Sequence, residues 1–172
     1  MCGVGGNCAP PANASPESNA YADTPMEIFP DFLEWFRCLN ARSVEYLVVG
    51  GYAVGHHGHV RYTHDLDVWV KATHENAQKL MLALADFGFG GAGLKIEQFE
   101  IPAKMVRLGT PPTLIDVITK IDGLTWEEAQ ADAVTGDYGG APIRLIGLAS
   151  LRRNKLASGR AKDLADLEAL RD

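Results

Sequence analysis

The chain has 172 residues, enough for one domain with a single hydrophobic core, and its composition is ordinary for a globular protein. Its formal net charge of −6 argues against a general nucleic-acid-binding protein. No apolar run reaches the roughly 18 residues of a membrane-spanning helix, and the N-terminus lacks the basic and apolar regions of a secretory signal. Three cysteines, two of them near the N-terminus, do not suggest a disulfide framework, so we expect a cytoplasmic protein.

The first 25 residues differ in composition from the rest of the chain. They are rich in Gly, Ala, Pro, Asn and Ser and contain no Lys or Arg. Such a segment cannot bury enough apolar surface to offset the entropy of ordering. We therefore predict a flexible leader at 1–25 and one folded domain at 26–172. Cys2 and Cys8 alone do not predict a metal site, because no further Cys or His lies near them.

From residue 26 onward, apolar residues recur with helical spacing in some segments and alternate in others. Thr73 suits the N-cap of one of the helices. In chain order, the sequence predicts a helix at 27–42, a strand at 45–50, a short helix at 51–58, a strand at 64–70, a helix at 73–89, strands at 95–101 and 103–109 with a hairpin around Pro102, strands at 113–119 and 143–148, and helices at 148–158 and 160–171. This mixed order predicts an α/β or α+β sheet domain with a helical C-terminal end.

Two aspartates one residue apart, Asp65 and Asp67, lie in the strand predicted at 64–70. Side chains alternate along a strand, so both face the same way about 6.5 Å apart, and Leu66 faces the opposite side. Carboxylates this close raise each other's pKa unless a cation offsets their repulsion. A third acid, Asp116, lies in an apolar strand that would otherwise bury it unpaired. Three carboxylates on adjacent strands can hold two ions such as Mg²⁺ or Mn²⁺ for phosphoryl or nucleotidyl transfer.

The same three acids also have a structural interpretation. Asp65 would be a cap, Asp67 would pair with Arg61, and Asp116 would begin a turn. A glycine pair favours the functional interpretation. Gly50 and Gly51 end an apolar strand and begin a short helix, where exposed backbone N–H groups can hold a phosphate. A Gly-Gly pair also occurs in simple turns, so the pair supports a phosphate site only together with the acids.

Residues 48–70, VVGGYAVGHHGHVRYTHDLDVWV, resemble the signature of the nucleotidyltransferase superfamily with the DNA polymerase β-like palm. That signature is a glycine pair after a strand, a spacer and then Asp-x-Asp, and here thirteen residues separate the glycine pair from Asp65. Arg61 and Thr63 belong to the same combination. The resemblance implies that Asp65 and Asp67 bind the metals and that Asp116 is the third carboxylate, which activates the acceptor hydroxyl.

The C-terminal segment 154–170, NKLASGRAKDLADLEAL, is similar to a Lys…Arg…Asp…Asp helical block. This block belongs to toxin-like nucleotidyltransferases of abortive-infection (AbiEii-type) and toxin–antitoxin systems, and Lys155, Arg160, Asp163 and Asp166 match it. The overall pattern is closest to small, antibiotic-type nucleotidyltransferase domains and covers residues 26–172. We expect Asp163 and Asp166 to pair with helix cations, such as Arg160 at i,i+3, rather than to bind metal.

These observations together predict a nucleotidyltransferase palm with a mixed β-sheet flanked by helices. The protein is expected to transfer NMP from an NTP to a hydroxyl with two-metal catalysis and release of pyrophosphate. Nucleotide binding is assigned to Gly50, Gly51, Arg61, Thr63 and Lys155. The expected acceptor is a small molecule such as an aminoglycoside or lincosamide antibiotic, a tRNA or a protein, and a homodimer or a toxin or antitoxin partner agrees with the resemblance.

Two other functions use the same residues. The first is a non-catalytic antitoxin-like or interaction protein that keeps the fold, although the presence of all three carboxylates argues against it. The second is metal-dependent hydrolysis with water as the acceptor, which product analysis distinguishes from transfer.

Overall fold

A computed structural model describes residues 27–170 of the chain. The predicted leader at 1–25, with Cys2 and Cys8, lies outside the described residues, as do residues 26, 171 and 172. Within 27–170, no helix is both long enough and apolar enough to span a membrane.

The described residues form seven α-helices and six β-strands, with one π-helical turn at Ala85–Phe89. In chain order these are α1 (Pro30–Ala41), β1 (Tyr46–Val49), α2 (Gly50–His56), β2 (Asp65–Val70), α3 (His74–Leu84), α4 (Glu97–Glu100), β3 (Met105–Thr110), β4 (Thr113–Ile118), α5 (Trp126–Ala131), β5 (Val134–Tyr138), β6 (Ala141–Leu145), α6 (Leu148–Ser158) and α7 (Ala161–Ala169). The predicted α/β class and the helical C-terminal end are confirmed.

The six strands form one mixed sheet in the order β3-β4-β2-β1-β6-β5. Strand β2 lies in the interior of the sheet, antiparallel to β1 and parallel to β4. Strand β3 pairs antiparallel with β4 and forms one edge of the sheet. This order brings the Asp-x-Asp strand and the strand of the third aspartate side by side, as the sequence predicts.

The residues of β2 alternate between the core and the opposite face of the sheet. Leu66 and Val68 are fully buried in the main hydrophobic cluster, to which α1 and α3 also contribute. Asp65 and Asp67 face the other way and are half-buried. Trp69 lies in a second cluster, where its ring meets Trp126 edge-on at 5.1 Å between centroids. The alternation fixes the register of β2, because a one-residue shift would bury both carboxylates in the main core.

Helix α3 begins as predicted, since the Thr73 hydroxyl accepts a hydrogen bond from the Asn76 backbone N–H at 3.3 Å. The strand predicted at 95–101 is wrong, because the segment contains the short helix α4. Ile96 and Phe99 are three residues apart and both pack against the main cluster, a spacing that fits a helical turn and not a strand.

The hairpin predicted around Pro102 is also wrong. The hairpin joins β3 to β4, and its turn falls at Pro111 and Pro112.

The sequence analysis did not predict two elements, α5 and β5. Helix α5 has a complete capping box between Thr125 and Glu128, which is a signal present in the sequence. Strand β5 has exposed polar side chains at alternate positions, Thr135 and Asp137, so it lacks a continuous apolar run.

Candidate active site

Three aspartates come together on the face of the sheet opposite the main core. Asp67 on β2 lies directly across from Asp116 on β4, and Asp65, two residues earlier on β2, lies across from Leu114. Asp116 is almost fully buried, whereas Asp65 and Asp67 are half-buried. The prediction that the three acids lie on neighbouring strands is confirmed. Their roles as metal ligands and general base stay predictions.

The glycine pair at the start of α2 packs directly against these acids. Gly50 has a φ of +63°, and a Cβ at this position would come within 2.0 Å of the Asp67 Oδ2 atom. A Cβ at Gly51 would come within 2.8 Å of the Thr63 Oγ1 atom. Only glycine therefore allows the start of α2 to approach the strand that carries Asp67.

We predict that Gly50→Ala will impair the site more than it impairs folding. The left-handed backbone should cost about 1–2 kcal/mol in a non-glycine residue, and the new methyl group should displace the Asp67 carboxylate. Metal-dependent nucleotide affinity, measured by calorimetry, should fall by at least about tenfold, with a modest decrease in melting temperature. Gly55→Ala is the matched control, because a Cβ there meets nothing within 4 Å in the same helix. Equal effects of the two substitutions would contradict the packing argument.

The electrostatic environment of Asp67 is unfavourable for its charged form. Burial and then repulsion by Asp116 and Asp65 raise the pKa of Asp67 to about 6, although Lys162 and Lys155 act in the opposite direction. The protein's own cations therefore do not offset the negative charge that gathers around this carboxylate.

Arg107 on β3 lies among the three acids. Its Nε and Nη2 atoms donate hydrogen bonds to the two carboxylate oxygens of Asp116, each at 2.7 Å. Nη2 also contacts the Asp65 Oδ2 atom at 3.4 Å. Asp116 is thus paired despite its burial, which resolves the problem that the sequence raised for an acid in an apolar strand. The signal for this partner was the hairpin register, which places Arg107 across from Asp116.

The acids fit a divalent cation by their chemistry. Carboxylate oxygens are the ligands that Mg²⁺ and Mn²⁺ prefer, and the raised pKa of Asp67 indicates negative charge that a cation would offset. Among residues 27–170, no three His, Cys, Asp or Glu side chains are arranged to hold a metal ion as they stand. Asp65 and Asp67 fit the role of ligands directly, whereas both oxygens of Asp116 are bonded to Arg107.

Two of the predicted nucleotide-binding cations, Lys155 and Arg61, take part in a buried ion-pair network. Lys155 Nζ donates to Asp163 Oδ1 at 2.7 Å and lies 2.8 Å from Asp166 Oδ2. The Arg61 guanidinium donates to both oxygens of Asp166, at 2.8 and 3.1 Å. Arg160 donates to Asp163 at 2.6 Å, which confirms the predicted i,i+3 pair. The network joins α6, α7 and the segment before β2.

A cleft of about 540 Å³ covers the acidic face of the sheet. Strand β3 forms one side of the cleft and the helices α6 and α7 form another, with the acids between them. It is lined by Val49, Gly50, Thr63, Asp65, Asp67, Met105, Arg107, Asp116, Ile118, Lys120, Ile121, Asp122, Asn154, Lys155, Ser158, Arg160 and Lys162.

The cleft contains most of the site residues that the sequence predicts, together with two exposed cations, Lys120 and Lys162, to which the sequence analysis assigned no role. Thr63 donates to the backbone carbonyl of Asp65 at 3.3 Å and holds the chain that leads into β2. Lys120 and Lys162 are exposed at the cleft and suit the binding of phosphate, as does the half-free head of Arg160. No short motif marks Lys120 or Lys162, so only the fold reveals their place in the cleft, whereas Arg160 belongs to the C-terminal block that the sequence analysis identified.

Solved structures with a similar fold include several nucleotidyltransferases. A candidate nucleotidyltransferase from Thermotoga maritima matches with a TM-score of 0.55 and 14% identity over 84% of this chain and 95% of that chain. The antibiotic-resistance factor ANT(2'')-Ia matches with a TM-score of 0.53 and 14% identity over 81% and 80%. An antigenic nucleotidyltransferase-like protein from Paracoccidioides brasiliensis matches with a TM-score of 0.51 and 19% identity over 81% and 74%.

No protein-family model matches the sequence, and no curated protein is significantly similar to it. At these identities the structural similarity is evidence for the fold, independent of any activity. The chain therefore has the fold of the nucleotidyltransferases.

Proposed function

We propose that this protein transfers NMP from an NTP to a hydroxyl group and releases pyrophosphate. The observation that carries the proposal is the cluster of Asp65, Asp67 and Asp116 on adjacent strands, in a cleft that is also lined by exposed cations. The negative charge of the acids and the exposed positive charge of Lys120, Arg160 and Lys162 suit a ligand that combines a metal ion with phosphates.

The residues of the cleft divide between nucleotide and acceptor. The backbone of Gly50 and Gly51 and the exposed cations of the cleft would bind the triphosphate. Thr63 would fix the backbone that leads into β2 through its hydrogen bond to the Asp65 carbonyl. Lys155 and Arg61 would either bind the phosphates or, through the buried ion-pair network, position α6 and α7. Asp65 and Asp67 would hold Mg²⁺ or Mn²⁺, which when bound supplies positive charge against the phosphate oxygens.

The acceptor hydroxyl would give its proton to Asp116, which acts as the general base. The hydroxyl oxygen forms a bond to the α-phosphorus, and the bond between that phosphorus and the oxygen bridging to the β-phosphate breaks. Pyrophosphate leaves with the electrons of that bond. Asp116 must be free of Arg107 when it accepts the proton, because the guanidinium occupies both of its oxygens.

Among the neighbours, the antibiotic-resistance factor ANT(2'')-Ia has been solved in complex with adenylyl-2''-tobramycin. This supports an antibiotic as the first class of acceptor to test, with tRNA and protein as the others. The resemblance of α6 and α7 to abortive-infection proteins stays a prediction, as does a homodimer or a toxin or antitoxin partner.

One observation favours the non-catalytic alternative, an interaction protein that keeps the fold. If Arg107 never left Asp116, this carboxylate could not accept a proton. Transfer activity therefore separates the two functions.

The experiment is incubation with each NTP and Mg²⁺ against aminoglycosides, lincosamides, tRNA and protein, with mass-spectrometric detection of the adduct. We expect an acceptor that gains one NMP and an equal amount of pyrophosphate, both absent with Asp67→Asn. NMP and pyrophosphate without an adduct would show hydrolysis at the α-phosphorus instead, and NDP with orthophosphate would show hydrolysis at the γ-phosphorus.

A binding measurement tests the metal requirement without an acceptor. We expect at least about tenfold tighter NTP binding in Mg²⁺ than in EDTA, because a divalent cation would link the carboxylates to the phosphates. Calorimetry on wild type and Asp67→Asn measures the difference, which the variant should lose. Equal affinity in both conditions would argue against a metal-dependent nucleotide site.

A further inference from the structure

The contact between Arg107 and Asp116 is a two-bond ion pair, in which each oxygen of the carboxylate accepts one hydrogen bond at 2.7 Å. Arg61 holds Asp166 in the same two-bond manner, but only Arg107 pairs with one of the three clustered acids. Such forked pairs are the strongest and most directional contacts of a carboxylate. Asp116 is therefore fully engaged at the place where the third acid of the cluster would have to accept another partner.

The two partners are held very differently by the fold. The Asp116 side chain is 6% exposed on an interior strand, whereas the Arg107 side chain is 50% exposed on β3, the edge strand. Arg107 lies on the rim of the cleft beside Met105, which is also exposed. The guanidinium can move into solvent without breaking a strand pairing, whereas Asp116 is held in place by its neighbours.

We propose that Arg107 is a removable counter-ion that competes with a divalent cation for Asp116. This inference rests on the proposed function, since it concerns the metal site of the same cleft. Without a divalent cation, the guanidinium compensates the buried charge of Asp116. When a cation enters with the nucleotide, Arg107 leaves, and Asp116 is free for the ion and for the proton of the acceptor. Arg107 is thus a positioning residue for the third acid.

Competition can be measured by Mn²⁺ titration followed by electron paramagnetic resonance, without nucleotide or acceptor. We compare wild type, Arg107→Gln, Asp116→Asn and the double variant. Arg107→Gln should bind Mn²⁺ at least about tenfold more tightly, since unit charges a few ångströms apart interact strongly even near a protein surface. Asp116→Asn alone should change the affinity by less than about threefold, because the guanidinium already occupies that carboxylate.

The double variant decides the mechanism. If Arg107 blocks Asp116 itself, Arg107→Gln with Asp116→Asn should return to within about threefold of wild-type affinity. A gain that persists in the double variant would mean that removing any nearby positive charge has the same effect, and this would overturn the proposal. Unchanged or weaker Mn²⁺ binding by Arg107→Gln would overturn it as well.

Two further variants keep the test interpretable. Lys104→Gln removes an exposed positive charge just before β3 and should leave Mn²⁺ affinity unchanged. If melting curves show that Arg107→Gln is unfolded, Arg107→Lys replaces it, since lysine keeps the charge but cannot engage both oxygens in a fork. It should give a smaller gain in the same direction, and no gain would contradict competition.

The failure of this inference can be told apart from the failure of the proposed function. If the wild type binds Mn²⁺ together with nucleotide but Arg107→Gln shows no gain, competition is wrong and the proposed function stands. If none of the variants binds Mn²⁺, even with nucleotide, both are wrong.

Discussion

Asp116→Asn is expected to slow nucleotidyl transfer by about 10²–10⁴-fold, the usual effect of losing a general base. The substitution keeps the shape of the side chain but removes the charge that, in the proposed function, would accept the proton of the hydroxyl. Nucleotide affinity should fall by much less, because Asp65 and Asp67, the proposed metal ligands, are unchanged. Single-turnover rates and calorimetric affinities, measured with the acceptor found by the transfer assay, provide the check.

Asp67→Asn is the matched comparison for this prediction. Asp67 lies directly across from Asp116, so the two variants alter neighbouring carboxylates of the same cluster. Loss of Asp67 should lower metal-dependent nucleotide affinity and turnover together. A wild-type rate in Asp116→Asn would mean that Asp116 is a buried structural acid whose task is to pair with Arg107.

Lys155→Met is expected to lower the free energy of unfolding by about 3 kcal/mol. Lys155 and its two partners are almost fully buried, so its removal leaves two acids without their shared cation. Each acid keeps one other cation, Arg160 for Asp163 and Arg61 for Asp166, which places the loss at the lower end of the range for broken buried pairs. Denaturant unfolding measures it.

The exposed neighbour Lys162 is the control for Lys155. Lys162→Met should change stability by less than about 0.5 kcal/mol, as is usual for surface positions. A similar small effect of Lys155→Met would show that the buried network contributes little. Nucleotide affinity of the folded Lys155→Met protein then tells whether Lys155 also acts on the phosphates.

The same network predicts how stability depends on pH. Burial acts to raise the pKa of Asp163, but hydrogen bonds from Lys155, Arg160 and Ser158 outweigh it and lower the pKa from 3.8 to about 2. A lowered pKa in the folded state stabilises the protein above about pH 4, and this contribution is lost as the pH falls toward 2. Stability of Lys155→Met should decrease less steeply over that window, as followed by denaturant unfolding at each pH.

The sequence predicted where the clustered acids and the glycine pair lie in the fold, because local rules determine these positions. Alternation along β2 places Asp65 and Asp67 on one face and Leu66 on the other. Each glycine at the start of α2 is required because a Cβ there would collide with Asp67 or Thr63. The position of Asp116 also followed, since an acid in an apolar strand requires a partner nearby.

Apart from the local pair of Arg160 with Asp163, the sequence did not predict which cation meets which acid. Lys155 was assigned to phosphates because it is basic, yet the fold surrounds it with Asp163 and Asp166 on α7. Arg107 was overlooked because the hairpin was expected at Pro102, which left the pairing of β3 with β4 undefined. Such partners depend on strand register and helix packing, which no short stretch of sequence determines.

The most direct test of nucleotidyl transfer follows two labels on the same NTP, one on the α-phosphate and one on the γ-phosphate. The account predicts that the α-label becomes covalently attached to the acceptor, that the γ-label appears in pyrophosphate, and that Asp67→Asn abolishes both changes. Transfer of the γ-label to the acceptor, or its release as orthophosphate with the α-label left in NDP, would contradict it.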